Sequence, residues 1–195
     1  MTAVNHAEVT SSDFFEAKYR QQADPWNFAA SAYELGRYKA TVAALAGQRY
    51  ARGLEPGCSI GILTERLAPL CDRLDAFDFS ATAVEQARQR CARLPQVQLH
   101  CGALSAAQCF SSYDLIVLSE IGYYFTPAQW RELTGAIAFA AKPGTTLLAV
   151  HWLGTSVDHC MNGEEVHEIL RGQPLVQLDH SERHQAFRLD RWRRR

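Results

Sequence analysis

The chain lacks an excess of charge of either sign. Its 20 lysines and arginines face 21 aspartates and glutamates, for a formal net charge of -1. That balance gives no reason to expect a polyanionic partner, and nucleic acid is not an expected substrate. The one basic cluster, RLDRWRRR at 188–195, reads as a solvated terminus or strand end. No apolar run reaches the length of a membrane span, and the first 22 residues lack the basic and apolar regions of a secretory leader. Six cysteines, at 58, 71, 91, 101, 109 and 160, include no CxxC pair and have no histidines around them at metal-ligand spacing, so no metal site is expected. No internal repeat is found. These absences point to a cytoplasmic protein with reduced thiols, free of membrane, as a monomer or weak homodimer. At 195 residues, 47% of them hydrophobic, the chain suffices for one domain with a sizeable core and is too short for two.

What is present has a clear order. Residues 10–22 and 31–47 read as helices, the second with Ser31 and Glu34 in a capping-box pattern and Gly47 at its end. Between them, DPWNF puts Trp26 and Phe28 beside the helix-breaking Pro25. From Tyr50 onward strands and helices alternate: strands at 50–55, 73–78, 97–102, 113–120 and 145–152, with helices from Ile62, over 80–94 and over 127–141. YDLIVLSE has the near-continuous apolar run of a fully buried parallel strand. After a short helix at 166–172, PLVQLDH and QAFRLDRWR follow without a helix between them, as an antiparallel edge pair would. The expected class is α/β, a mostly parallel seven-stranded sheet with helices on both faces.

LEPGCSIGILTERLA, at 54–68, contains GCSIG, the Gly-x-Ser-x-Gly pattern of a serine-hydrolase elbow. The strand–turn–helix setting suits that reading, with Asp158, His159, His180 and His184 as possible partners for Ser59. However, the turn follows the first strand, so no earlier strand and loop donates the second oxyanion N–H, and no HGGG-like segment precedes it. A cofactor loop accounts for more. Gly57 lets the chain turn out of the strand, Gly61 permits close approach, and the next helix N-terminus offers its N–H groups. Asp78 ends the following strand, where an acid accepts hydrogen bonds from ribose hydroxyls. Ser59 and Ile62 stand where a dinucleotide loop needs glycine, which favours a smaller adenosine ligand carrying a carboxylate.

LEPGCSIG and CDRLDAFDFS resemble motif I and the second-strand acid of class I S-adenosylmethionine-dependent methyltransferases, over roughly 50–152. DPWNFAASAYELGRYKAT, SEIGYYF and HW resemble the nodulation N-methyltransferase (NodS-like) group, which methylates an amine on a chitooligosaccharide, and extend the match to about 14–190. The resemblance implies a Rossmann-like methyltransferase fold across 1–195, with S-adenosylmethionine as cofactor and S-adenosylhomocysteine as product. Glu55 would open motif I, and Gly57, Cys58, Ser59 and Gly61 would wrap the methionine part. Asp78 would hold the ribose, with Phe79 and Ser80 beside the adenine. Where the family often has an acid after the third strand, this chain has Ala103 and Leu104, which leaves backbone contacts. Ser119 and Glu120 would face the sulfonium. Tyr19, Trp26, Tyr33 and Arg37 would belong to an N-terminal helical lid, 10–47.

Methyl transfer to an amine needs an unprotonated nucleophile and exclusion of water. Glu120 is expected to orient the ammonium and take its proton, and His151 at the end of the fifth strand is the second candidate for the base and for substrate contact. Tyr123 and Tyr124 would line the acceptor pocket, His159 and His167 would flank its entrance, and Trp152 reads as core. The acceptor would be a small molecule or an oligosaccharide. Two alternatives stay open: transfer to a small-molecule oxygen with His151 as base, and a non-catalytic S-adenosylmethionine-binding protein.

Overall fold

The computed structural model describes residues 11–195; residue 10, where the first helix is expected to begin, and the start in which no secretory leader is expected lie outside them. Among the described residues are seven strands: β1 Tyr50–Pro56, β2 Cys71–Asp78, β3 Val97–Cys101, β4 Leu115–Ser119, β5 Thr146–Trp152, β6 Val176–Arg183 and β7 Phe187–Arg194. They form one sheet in the order β3-β2-β1-β4-β5-β7-β6. The first five are parallel, and β7 runs antiparallel to both β5 and β6. The mostly parallel sheet with an antiparallel C-terminal edge is thus the architecture expected.

Among the described residues six α-helices cover it: α1 Ser12–Gln21, α2 Ala32–Leu45, α3 Ile62–Leu67, α4 Ala81–Arg90, α5 Pro127–Ala140 and α6 Gly163–Arg171. Successive strand residues point to opposite faces, and the two cores follow that parity. On one face Leu115, Val117, Leu148 and Val150 pack with Tyr38, Leu45, Leu63 and Leu67 of α2 and α3. On the other, Ile116, Leu118, Leu147 and Ala149 pack with Trp130, Leu133 and Ile137 of α5 and Val166 of α6. Trp130 is fully buried, and its Nε1 donates to Val166 O at 3.1 Å. An indole of this kind removes about 150–250 Å² from water, worth about 4–6 kcal/mol.

Local chemistry sets the helix starts. Thr126 and Gln129 form a reciprocal capping box on α5, and Asn162 and Glu165 form another, so α6 starts at Gly163, earlier than the apolar pattern suggests. At Ser31 only half of the expected box exists. Its hydroxyl accepts from Glu34 N, but the Glu34 carboxylate turns to Arg37. Pro69 ends α3 in a 3-10 turn, Ala68–Leu70. The six cysteines are unpaired, and among the described residues no helix is long and apolar enough to cross a membrane.

Candidate active site

A turn of special backbone links β1 to α3. Gly57, Ser59 and Gly61 all have positive φ (72°, 50° and 80°). Gly57 N and Cys58 N both donate to Phe77 O, at 2.7 and 3.0 Å, which ties the turn to the end of β2. A Cβ on Gly61 would stand 3.0 Å from Ala87 Cα, so glycine there lets α3 approach α4. Asp78 joins two turns: its Oδ2 accepts from Ser59 N at 3.0 Å and its Oδ1 from Ser80 N at 2.9 Å. Burial pushes the Asp78 carboxyl up, against the pull of those N–H donors. The Ser59 hydroxyl accepts from Tyr19 Oη at 2.5 Å, and among the described residues no histidine bonds to it. With a tyrosine where an elbow needs its base, the geometry does not support the elbow reading.

Glu120 stands across from this turn, just beyond β4. Its φ of 59° is left-handed, as at Ser59, so two non-glycine residues lining one cavity hold an uncommon conformation. Glu120 Oε1 accepts from Trp152 N at 2.7 Å and Oε2 from Tyr123 Oη at 2.8 Å. Behind it, Arg37 donates to Ser119 Oγ at 3.0 Å, pairs with Glu34, and lies 3.7 Å from Glu120 Oε1. Burial works against the Arg37 charge, but the Glu120 and Glu34 carboxylates outweigh it and hold its pKa up.

Between the two walls lies a cavity of about 480 Å³. Tyr19, Trp26, Tyr33, Gly57, Ser59, Asp78, Phe79, Ala103 and Leu104 line it, and so do Ser119, Glu120, Tyr123 and Tyr124, so most residues singled out in the sequence converge there. Others sit apart. Arg37, Glu55 and Cys58 border a small side cleft of about 30 Å³ behind the Gly57–Gly61 turn. The Cys58 side chain packs with Ala76 and Ala87, and Gly61 serves the helix contact. Burial pushes the Glu55 carboxyl up to about 8, and its Oε2 has no partner.

Four expectations need correcting. Ser80 is fully buried; its hydroxyl caps α4 and donates to Glu16, so it contacts no ligand in the cavity. His151 is also fully buried, accepts from Gly122 N at 3.0 Å, and does not line the cavity. It can be neither the base nor a substrate contact. His167 is likewise fully buried, on the inner face of α6, and does not line the cavity. Trp152, expected in the core, lines the cavity instead.

Several lining residues carry no motif. Lys18 reaches Asp158 Oδ2 at 3.7 Å, an ion pair from α1 to the loop after β5. His159 stacks on Tyr123 with ring centroids 3.8 Å apart and planes 14° from parallel. Its Nδ1 is buried without a partner, and burial lowers its pKa, so the ring is neutral at pH 7. Glu16 on α1 grips the start of α4: its Oε2 accepts from Ser80 Oγ at 2.6 Å and its Oε1 from Thr82 Oγ1 at 2.7 Å. A carboxylate is favoured at a helix N-terminus, and the Ser80 and Thr82 bonds bring Glu16 down from 4.5 to about 2. A depressed acid stabilises the fold above its unfolded pKa and loses that contribution as pH falls through its folded one. Amide exchange should therefore show α1 protected at neutral pH and opening between pH 4.5 and about 2. Glu16→Gln should open it already at pH 7, and unchanged protection in that variant would exclude the latch.

Four acids line the cavity (Glu34, Asp78, Glu120 and Asp158) against one lysine, Lys18. Aromatic faces from Phe15, Tyr19, Trp26, Tyr33 and Trp152 fill much of the remaining wall. A negative field within aromatic walls attracts a cationic or electron-poor ligand. A buried acid at a strand end is placed to accept from paired hydroxyls.

A family model described as Nodulation protein S (NodS) matches residues 10–142. Nodulation protein S of Rhizobium tropici is 33% identical over 130 residues, which cover 64% of this chain and 53% of that relative. The protein of the same name from Sinorhizobium fredii is 31% identical over 124 residues, 62% of this chain and 57% of that one. The chain thus spans about half the length of the curated relatives it matches. Among solved structures, the N-methyltransferase NodS from Bradyrhizobium japonicum WM9 in complex with S-adenosyl-L-homocysteine is similar with a TM-score of 0.78 and 25% identity, over 94% of this chain and 98% of that one. A putative methyltransferase from Pseudomonas syringae is similar with a TM-score of 0.73 and 36% identity, over 84% of this chain and 100% of that one.

Proposed function

Because the chain belongs to the nodulation protein S family, we propose that it transfers a methyl group from S-adenosylmethionine to an amine nitrogen of a small molecule or saccharide. The observation that carries this reading is one cavity lined by both Asp78 and Glu120, walled by aromatic rings and richer in acids than in bases. When bound, S-adenosylmethionine supplies an electrophilic methyl group on a positively charged sulfur. The residues present fit it. Each Asp78 oxygen accepts one backbone N–H and keeps a lone pair for a ribose hydroxyl. Phe79 and Leu104 offer apolar walls for the adenine. Glu55, whose Oε2 has no partner in the cleft beside Gly57, would take the charged form that burial otherwise disfavours once the ammonium of the methionine part lay against it.

On the acceptor side the chain has three tasks. Glu120, held at both oxygens, orients the incoming amine and balances positive charge. His159, held neutral by burial, takes on Nε2, 3.9 Å from Asp158 Oδ1, the proton the nitrogen gives up as the N–C bond forms and the S–C bond breaks. Residues 10–47 act as the lid, with Phe15, Tyr19 and Trp26 excluding water above the cavity.

Calorimetry with S-adenosylhomocysteine, followed by a labelled-methyl screen over amines, amino sugars and hydroxyl compounds, tests the reading. No detectable binding at millimolar ligand would sink it, and transfer only to hydroxyl compounds would replace the amine with oxygen. His159→Phe keeps the stack on Tyr123 but removes both ring nitrogens. Its turnover should fall by about tenfold to a hundredfold with S-adenosylhomocysteine affinity unchanged. Unaltered turnover would take the base role from His159.

A further inference from the structure

A chain of buried polar groups runs beneath the cavity and touches no ligand. Gly122 N donates to His151 Nε2 at 3.0 Å. His151 Nδ1 lies 3.2 Å from His167 Nε2, and His167 Nδ1 lies 2.8 Å from Asp190 Oδ2. Asp190 also accepts from Ser181 Oγ at 2.5 Å and pairs with Arg188 Nε at 2.8 Å. His151, His167 and Asp190 have no solvent exposure, and they come from β5, α6 and β7.

Every proton in this chain can be placed. A backbone N–H only donates, so His151 Nε2 carries no proton. The neutral ring then holds its proton on Nδ1 and donates it to His167 Nε2. His167 Nε2 is thereby an acceptor, its own proton sits on Nδ1, and Nδ1 donates to the Asp190 carboxylate. One pair of tautomers satisfies every link. Burial keeps both rings neutral, reinforced at His151 by His167, Arg37 and His159.

The first link holds the short turn Gly122–Tyr124. A Cβ on Gly122 would stand 2.4 Å from Val166 Cγ1 and 3.0 Å from His151 Nε2, so the turn lies directly on the histidine. Tyr123 in that turn donates to Glu120 and stacks on His159. We propose that His151, His167 and Asp190 are positioning residues, a one-way hydrogen-bond relay that fixes the Gly122–Tyr124 turn and, through Tyr123, the Glu120 carboxylate and the His159 ring. The effect on turnover rests on the methyl-transfer reading; the relay itself does not.

Nitrogen-15 NMR of histidine-labelled protein reads the tautomers without any substrate. Both rings should be protonated on Nδ1 at neutral pH, and an Nε2 proton on either ring would overturn the relay. His167→Leu removes the middle link, while His167→Gln keeps one acceptor and one donor. In the leucine variant, exchange of the Gly122 amide should speed up by about tenfold or more, and turnover should fall with S-adenosylhomocysteine affinity intact. The glutamine variant should recover both. A leucine variant that is less stable yet exchanges Gly122 at the parent rate and turns over normally would reduce the relay to a structural contact and overturn the proposal. If the leucine variant does not fold, the parent's tautomers and the glutamine variant decide. The expected tautomers in a protein that methylates nothing would leave the relay standing and remove the function reading alone.

Discussion

Alanine in place of Asp78 is expected to abolish measurable binding of S-adenosylhomocysteine. Two effects add. The ligand loses up to two hydrogen bonds to a charged acceptor, each worth about 1.5–3 kcal/mol. In the same step Ser59 N and Ser80 N lose their acceptor, so the turns on both sides of the cavity lose the bridge between them. Two such bonds amount to about 3–6 kcal/mol, or about a hundredfold to ten-thousandfold in affinity. Asp78→Asn should fall between parent and alanine, because its amide retains one acceptor but turns an N–H toward Ser59 N or Ser80 N. The free protein already bears a cost here. Burial raises this acid's pKa, and a raised acid lowers stability as pH rises through its titration. Hydroxyl donors from a ligand would relieve that cost, so saturating S-adenosylhomocysteine should raise the melting temperature of the parent and leave that of Asp78→Ala unmoved. Near-parent affinity in a folded alanine variant would remove Asp78 from the cofactor site.

Much of the sheet and half of the site were legible before any coordinates, for physical reasons that differ along the chain. LIVLS reads as a central strand because parallel strands are covered on both faces and all five residues are buried. Asp78 reads as a ligand-binding acid because strand ends in open parallel sheets face the ligand crevice. His151 and Trp152 show where position alone misleads. Both end β5 at the correct edge of the sheet, but side chains alternate, and His151 shares the face of Leu147 and Ala149, beneath α6. Trp152 falls on the opposite parity and reaches the cavity. Counting parity back through TLLAVHW contained that answer.

Glu16 and Lys18 had no comparable signal, and Asp158 and His159 could be named from the sequence only as elbow partners or as a flank of the entrance, without the contacts they make. Each acts through a partner far away in sequence: Glu16 through Ser80 and Thr82, Lys18 through Asp158, His159 through the Tyr123 ring. Local pattern reports which face of an element a residue occupies. It does not report which loop folds over that face, so a lid contact emerges only when the helix and the loop are seen together.

Glu120→Gln should leave the cavity standing and stop most of the chemistry. Glutamine can keep its Oε1 on Trp152 N, and the Tyr123 hydroxyl can rotate to accept from its Nε2, so both local bonds survive the exchange. What disappears is the negative charge, 3.7 Å from Arg37 and at the edge of the cavity. An amine that becomes positively charged as it is methylated then loses the group that balances it, while Arg37 keeps only Glu34 as a paired anion. Turnover in single-turnover labelled-methyl assays should drop by about a hundredfold to a thousandfold. Affinity for S-adenosylhomocysteine, whose sulfur is uncharged, should stay close to that of the parent, and affinity for the sulfonium-bearing cofactor should weaken. That split separates charge from shape: a general collapse of the pocket would weaken both ligands alike. Full turnover in Glu120→Gln would show that the carboxylate serves only to hold the Trp152 and Tyr123 ends of the site, and His159 alone would then have to manage the proton.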